Sequence, residues 1–216
     1  MKRMTIPFIV FFLSFTVTYV LVNPVHEATY LLGNTSYSGT NEKSITVYAI
    51  GVYENSEEGD LIHIDISLKP GSGNIFVDIK RMEAGISFQD YLKNVWRFVN
   101  TYTSGELEKY DVYISVRGSA EVVEGGSGSV MIALGLIALL KNKALNKEFI
   151  VSGVLDEKGR VGSVLSLREK VRLAKKFGFK RFYVSEEEYS EVRDIRGIEI
   201  IPVKYISEII HKELKS

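Results

Sequence analysis

The sequence predicts one α/β (α+β) domain with mixed sheets, preceded by one N-terminal transmembrane helix. Three observations support this fold class. An uncharged apolar run lies near the N-terminus, strand patterns dominate the middle of the chain, and strand and helix patterns alternate in its second half. Such alternation is typical of domains in which helices pack against sheets. The chain has 216 residues, of which 45% are hydrophobic, which is enough for one well-packed domain and at most two.

The first 25 residues predict a signal anchor, that is, a transmembrane helix that is not cleaved. Lys2 and Arg3 precede an uncharged run over residues 4–25, and about 20 apolar residues span the hydrocarbon core of a bilayer. Positive charges before such a run favour a cytoplasmic N-terminus and an extracytoplasmic domain. A cleaved signal peptide is the alternative, but residues 22–27 lack the small residues of a cleavage site. We therefore predict a single-pass membrane protein.

A polar, turn-rich stretch follows the predicted anchor, and regular structure is predicted after it. Residues 26–43 are interpreted as a linker that leads to a domain at residues 44–216. Runs that alternate apolar and polar residues between turn signals predict strands at residues 44–54, 61–67, 74–80 and 111–116. The spacing of Phe88, Leu92 and Val95 predicts an amphipathic helix over residues 87–102.

The second half of the chain alternates more regularly. The predicted helices cover residues 127–140, 167–177, 186–193 and 204–214. The predicted strands cover residues 149–155, 161–165, 181–184 and 198–203. No internal repeat is present, so all of these elements are assigned to the same domain.

Composition and charge exclude several classes of function. Lysine plus arginine and aspartate plus glutamate number 27 each, so the net charge is zero and no nucleic-acid partner is expected. The chain has no cysteine, which excludes disulfides and thiolate chemistry. Its three histidines lie far apart, which disfavours a zinc hydrolase and a Ser-His-Asp triad. No GxxxxGK[ST] phosphate loop occurs, so we expect the chain to carry no ATPase of its own. No cofactor and no metal site are predicted.

Ser127 is the candidate nucleophile. It follows Gly126 and precedes Gly128, immediately before residues 130–140, which are apolar on all sides and therefore predict a buried helix. The N–H groups at the start of a buried helix need partners and can hold a developing oxyanion, so a serine there is placed to attack a carbonyl. The alternative interpretation is that Ser127 only caps the helix in a glycine turn, and this segment by itself favours the cap.

Lys170 is the candidate general base. On a helical wheel of residues 167–177 the other charged residues share one arc, whereas Lys170 lies inside the apolar arc between Leu167 and Phe177. A buried lysine must be neutral or paired, and desolvation lowers its pKa toward the value that a general base needs. The alternative is a lysine whose stem lies along apolar surface while its amine reaches water, and the helix alone favours that alternative.

Taken together, the segments around Ser127 and Lys170 resemble the proteolytic domain of Lon proteases. Residues 124–128 correspond to the D-G-P-S-A-G motif of that family, and residues 166–170 correspond to its G-G-L-K-E-K type segment. The two motifs align with the family without a gap. Residues 111–116 stand where the family has a D-I-H-I-H-V strand, and residues 151–153 replace its M-T-G. The resemblance covers about residues 44–214 and is strongest from residue 111 onward.

The resemblance implies a role for each residue of the predicted site. Ser127 and Lys170 are its catalytic dyad, and Ser152 stands in place of a threonine that contacts the lysine. Backbone N–H groups near Gly126 and Gly128 are expected to stabilise the oxyanion.

The sequence departs from the family pattern at several of these positions. Glu124 replaces aspartate, Gly126 replaces proline, and Gly128 and Ser129 replace alanine and glycine. Val154 replaces an acidic residue and so removes a charge from the site. None of these departures removes the serine or the lysine.

The function implied by the resemblance is an ATP-independent serine endopeptidase that acts through an acyl-enzyme. Because the ATPase module of Lon proteins is not found, the expected substrates are peptides or unfolded proteins, unless a partner motor assists. The resemblance also implies assembly into a homo-oligomeric ring. A non-catalytic Lon-like domain for assembly or scaffolding at the membrane is the main alternative.

Two further alternatives concern the kind of enzyme and the nucleophile. A signal-peptidase-like enzyme is disfavoured, because more than 100 residues separate the predicted anchor from Ser127. Ser129 is the other candidate nucleophile, but it lies two residues further on and should face elsewhere.

Overall fold

A computed structural model describes residues 36–37, 42–53, 56–80, 83–119 and 122–215. The predicted transmembrane helix at residues 1–25 and most of the predicted linker lie outside the described residues. Within the described ranges, no helix has both the length and the apolar character that crossing a bilayer requires.

Strands and helices follow one another closely along the chain. The strands are β1 (Ser36–Tyr37), β2 (Lys43–Val52), β3 (Gly59–Pro70), β4 (Ile75–Asp78), β5 (Glu83–Ala84), β6 (Tyr110–Arg117), β7 (Val122–Val123), β8 (Ala144–Leu145), β9 (Phe149–Ser152), β10 (Val154–Leu155), β11 (Val161–Gly162), β12 (Arg181–Ser185), β13 (Glu199–Val203) and β14 (Leu214–Lys215). The helices are α1 (Ile86–Tyr102), α2 (Ser129–Leu140), α3 (Leu167–Lys176), α4 (Tyr189–Val192) and α5 (Ile206–Glu213), and a 3-10 turn covers Glu106–Lys109. Each predicted helix has a counterpart, although α2 begins at Ser129 rather than at residue 127.

The first half of the domain forms a five-stranded mixed sheet in the order β1-β2-β3-β6-β4. Strands β2 and β3 pair antiparallel along their length, whereas β4 runs parallel to β6. Because side chains alternate between the two faces of a strand, Ile45, Val47 and Ile64 are all buried on one face. The short strand β1 lies within the predicted linker and pairs with the first residues of β2.

Helix α2 forms the centre of the main hydrophobic core. Every residue over positions 129–139 is buried, and the helix packs against α1, β2, β3 and β9. Gly135 permits the close approach to β2, because a Cβ at this position would come within 3.0 Å of the Val47 side chain. The enclosed position of α2 confirms the prediction of a buried helix made from its all-apolar sequence.

A second sheet, ordered β13-β12-β9, is parallel throughout. Val184 pairs with Ser152, so Ser152 and Ser185 lie at the same carboxyl end of this sheet. Helix α3 packs against β9 and also against β2 and β3, and thereby connects the two sheets. The interleaved helices and the mixed sheets confirm the predicted α/β (α+β) class.

Candidate active site

Ser127 lies in the turn that leads into α2 and is half-buried. The helix is preceded by Gly128 at its N-cap position, where no side-chain capping hydrogen bond occurs. The interpretation of Ser127 as a helix cap is therefore wrong. The Ser127 carbonyl accepts a hydrogen bond of 3.1 Å from the N–H of Gly153, which joins this turn to the residue after β9.

Glycines allow the turn to lie directly against its neighbours. A Cβ at Gly126 would come within 2.4 Å of the Tyr91 ring on α1, and a Cβ at Gly128 would come within 3.2 Å of the Ala49 Cβ on β2. Gly125 adopts a φ of +80°, in the left-handed region that favours glycine. The glycines that depart from the Lon pattern therefore fit the turn between α1 and β2.

Glu124 anchors this turn to the start of α1. Its carboxylate accepts a hydrogen bond from the Ser87 hydroxyl, and Ser87 Oγ in turn accepts a bond of 2.8 Å from the N–H of Gly125. Glu124 itself is exposed. Its contacts thus hold the backbone before Ser127 in place.

Backbone donors remain free on the same turn. The N–H of Ser129 donates to the Gly126 carbonyl at 2.9 Å, and the N–H of Ile132 donates to the Gly128 carbonyl at 3.1 Å. By contrast, the N–H groups of Gly126, Ser127 and Gly128 donate to no acceptor within the part of the chain that the structure describes. Free donors beside a serine at the start of a buried helix are what an oxyanion site requires.

Ser129 has a structural role instead. Only 2% of the residue is exposed. Its Oγ accepts a hydrogen bond of 2.8 Å from the N–H of Leu155 and donates one of 3.4 Å to the carbonyl of Gly153. These bonds fasten the first turn of α2 to β10, and they leave the hydroxyl unavailable to a substrate.

Lys170 lies on the inner face of α3 and is only 7% exposed. This burial favours the interpretation of Lys170 as a desolvated lysine over that of a lysine whose amine extends into water. Burial lowers the pKa of Lys170 to about 8, and the charge of Glu188 acts against this shift by raising the pKa. An amine with such a pKa is partly neutral near neutral pH.

The backbone at the start of α3 is strained. Ser166 has a φ of 55°, in the left-handed region that residues other than glycine seldom adopt. Its carbonyl accepts the N–H of Lys170 at 3.1 Å, which is the first helical hydrogen bond of α3. Local strain of this kind is commonly found at functional sites.

Ser152 is buried at the carboxyl end of β9, with 3% of the residue exposed. The next residue, Gly153, donates to the Ser127 carbonyl, and α3 packs against the same strand. The fold thus brings the turn of Ser127, the strand end of Ser152 and the helix of Lys170 together. In the described part of the chain, the Ser127 hydroxyl and the Lys170 amine are not hydrogen-bonded to each other. Catalytic hydrogen bonds are often long in a substrate-free site and shorten when substrate binds.

Glu188 is a buried acidic residue that the sequence did not predict. This residue precedes α4 and is only 6% exposed, and burial raises the pKa of its carboxyl. It ends the acidic run Glu186-Glu187-Glu188, which has the pattern of a solvated surface. Nothing in that run distinguishes its third member from the other two, so the burial of Glu188 had no signal in the sequence.

A metal-binding cluster is absent from the residues that the structure describes. No group of three histidine, aspartate or glutamate side chains there is placed to hold a metal ion.

Comparison with known proteins identifies the relatives of this chain. The family model of the Lon protease (S16) C-terminal proteolytic domain matches residues 25–216. An archaeal Lon protease from Methanocaldococcus jannaschii is 34% identical over 105 residues, which cover 49% of this chain and 16% of the relative. The archaeal Lon protease of Thermoplasma acidophilum is 30% identical over 148 residues, which cover 67% of this chain and 22% of the relative. The Lon protease of Methanosarcina barkeri is 26% identical over 166 residues, covering 72% of this chain and 20% of the relative. The matched part therefore spans about a fifth of the length of these relatives.

Proposed function

We propose that this chain, which belongs to the Lon protease (S16) C-terminal proteolytic domain family, is a serine endopeptidase with a Ser127–Lys170 dyad. The burial of Lys170 is the single observation that carries the proposal. A largely desolvated amine with a pKa of about 8 has a neutral fraction near neutral pH, and this fraction can accept a proton from a hydroxyl. The half-buried Ser127, on a turn with free backbone N–H groups, is the hydroxyl that the site offers.

In the proposed mechanism, neutral Lys170 removes the proton from Ser127 Oγ as this oxygen attacks a peptide carbonyl. The N–H groups of Gly126, Ser127 and Gly128 stabilise the tetrahedral oxyanion. The Lys170 ammonium then gives its proton to the leaving amine, and an acyl-enzyme remains on Ser127. Water hydrolyses this ester with Lys170 acting again as the base.

Ser152 is proposed to orient the Lys170 amine. It is buried at the end of the strand against which α3 packs. Glu124 supports the nucleophile indirectly, through its bond to Ser87 and the bond from Gly125 to Ser87.

The setting of the enzyme is part of the proposal. We propose that it cleaves peptides and unfolded proteins without ATP, because the sequence contains no phosphate loop of its own. The apolar run at residues 4–25 supports a membrane anchor, with the peptidase domain outside the cytoplasm. Assembly into a homo-oligomeric ring is proposed from family membership.

The alternative of a non-catalytic scaffolding domain predicts an ordinary pKa for Lys170. The lowered pKa of this residue argues against that alternative.

Covalent labelling tests the proposal directly. The full chain is treated with a fluorophosphonate, which reacts with activated serines, and the modified residue is identified by peptide mass spectrometry. We expect the label on Ser127 in the folded protein and no label after denaturation. A label on Ser129, or an unlabelled folded protein that still hydrolyses peptides, would overturn the assignment of the nucleophile.

Activity is also expected to depend on pH through Lys170. Below a pH of about 8 the amine holds a proton and cannot act as a base, so kcat/KM rises with pH and levels off above this value. The fall on the acidic side should be about tenfold per pH unit for one essential base. The measurement is kcat/KM for a quenched-fluorescence peptide across this range, with circular dichroism to verify folding at each pH. A flat profile across pH 8 would exclude Lys170 as the base.

A further inference from the structure

One oxygen of the Glu188 carboxylate is hydrogen-bonded to the backbone before α3. Its Oε1 accepts a hydrogen bond of 2.9 Å from the N–H of Val164. Val164 lies two residues before Ser166, the strained residue at which α3 begins, and the Ser166 carbonyl accepts the N–H of Lys170. The Glu188 side chain therefore holds the segment that leads into α3, the helix that carries Lys170.

The other oxygen of the same carboxylate makes no such bond within the described residues. Glu188 Oε2 is buried and has no hydrogen-bond partner among the described residues. A buried carboxylate oxygen without a donor destabilises the fold, and such groups in native structures call for a functional explanation. An oxygen of this kind is available to a cation that forms only during the reaction.

Lys170 is the cation whose charge this oxygen can stabilise. Helix α3 packs against α4, β2, β3 and β9. The ionisable groups on these elements, their flanks and α3 itself include Lys43, Tyr48, Asp60, His63, Asp65, Arg168, Glu169, Arg172, Lys175, Lys176, Glu187, Tyr189, Glu191 and Arg193. Among the described groups, only Glu188 acts on the pKa of Lys170 through its charge, and Lys170 acts in return on Glu188. Glu187 and Glu191 act on Glu188 and raise its pKa.

We propose that Glu188 is a positioning residue for Lys170. Glu188 anchors the start of α3 through Oε1 and stabilises the Lys170 ammonium through Oε2. The inference rests on the proposed dyad mechanism. During acylation one proton moves from Ser127 Oγ to Lys170 Nζ and then to the leaving amine. Glu188 remains a carboxylate throughout, and no bond to it forms or breaks.

Two substitutions separate the tasks of the two oxygens. Glu188→Gln keeps the shape of the side chain and an oxygen for the Val164 N–H, but it removes the charge. Glu188→Ala removes both. Glu186→Gln is the matched control, because Glu186 lies two residues away and its side chain is 49% exposed beside Lys204.

The readouts are the pH profile of kcat/KM and the pKa of Lys170, measured in the full chain. The pKa is obtained from the ¹³Cε resonance of labelled lysine, assigned with Lys170→Met. Because the carboxylate raises the pKa of Lys170, Glu188→Gln should lower that pKa by about one unit and move the acidic limb to lower pH. The high-pH plateau should fall about tenfold, since the ammonium formed in the reaction loses its counter-charge. Glu188→Ala should also lower the melting temperature, and Glu186→Gln should change none of these quantities.

If both Glu188 variants fail to fold, a reciprocal measurement on Lys170→Met still tests the proposal. Coupling between two titrating groups must appear at both of them. The ¹³Cδ resonance of Glu188 should therefore titrate at higher pH in Lys170→Met than in the unmodified chain, because the lysine charge lowers the pKa of the carboxyl.

The outcomes distinguish this inference from the proposed function. Two results would overturn the role of Glu188 without affecting the proposed dyad. One is a Lys170 pKa that is identical in Glu188→Gln and the unmodified chain. The other is a Glu188 pKa that does not change in Lys170→Met. A Lys170 pKa that shifts in a chain without Ser127-dependent hydrolysis would support the pairing of Glu188 with Lys170 and reject the peptidase.

Discussion

Ser127→Ala and Lys170→Met are each expected to lower kcat/KM for peptide hydrolysis by about 10³-fold or more. The first variant has no nucleophile, and the second leaves the Ser127 hydroxyl without a base. Because the two residues act as a unit, the double variant should be no slower than the slower single variant. The measurement is the initial rate of cleavage of a quenched-fluorescence peptide by each purified full chain.

Matched controls separate loss of chemistry from loss of structure. Lys176→Met removes an exposed lysine from the same helix as Lys170, and Ser207→Ala removes a half-buried serine from α5. Both control variants should retain full activity. Full activity in Ser127→Ala would place the nucleophile elsewhere, and a Lys170→Met variant with an unchanged pH profile would place the base elsewhere.

Much of this site could be predicted because it depends on periodicity. The helical spacing that assigns Leu167 and Phe177 to a buried face assigns Lys170 to the same face, and the lysine is buried there. Likewise, the all-apolar run over residues 130–140 predicts the enclosure of α2 and places Ser127 at its beginning. Patterns of this kind determine which side of an element faces the core, whatever the element packs against.

The local geometry of the nucleophile turn could not be predicted in the same way. The helix begins at Ser129, because Gly126 lies under the Tyr91 ring and its carbonyl accepts the N–H of Ser129. The contact with Tyr91 depends on α1, which is distant in the sequence, whereas the bond between Ser129 and Gly126 is local to the turn. The role of Ser129 itself follows from the position of Leu155, whose N–H it accepts, and not from any motif.

Long-range pairings could not be predicted from the sequence for the same reason. The predicted linker contains residues 36–37, whose pairing with β2 depends on a register that no local pattern encodes. Glu188 is buried where its carboxylate accepts the N–H of Val164, in the segment before α3, although its acidic neighbours suggest a surface. In both cases the tertiary contacts override the local preference of the segment.

A second group of buried charges, remote from any motif, joins β12 to α5. Glu213 is only 1% exposed, and its carboxylate accepts hydrogen bonds from Arg181 Nε at 2.9 Å and from Arg181 Nη2 at 3.1 Å. The Tyr183 hydroxyl donates to the same carboxylate at 2.5 Å, and burial together with this bond raises the pKa of Tyr183. Among the described residues, the guanidinium of Arg181 has no comparable second partner, since Glu148 is exposed and lies 3.8 Å away.

Glu213→Ala is therefore expected to lower the free energy of unfolding by about 3–5 kcal/mol, because it leaves a largely buried Arg181 without its counter-charge. Glu148→Gln, which alters the exposed partner of the same arginine, should cost no more than about 1 kcal/mol. Urea unfolding followed by circular dichroism measures both. Replacing the pair together, as Arg181→Met with Glu213→Leu, should recover part of the loss, since no charge then remains unpaired in the core while the Tyr183 hydroxyl still lacks its acceptor. If Glu213→Ala were as stable as Glu148→Gln, the network would be unimportant to the fold. If Glu213→Ala does lower the stability, peptidase activity should fall only in proportion to the fraction of unfolded protein. The reason is that Tyr183 is linked to the candidate site only through its strand, in which its neighbour Val184 pairs with Ser152.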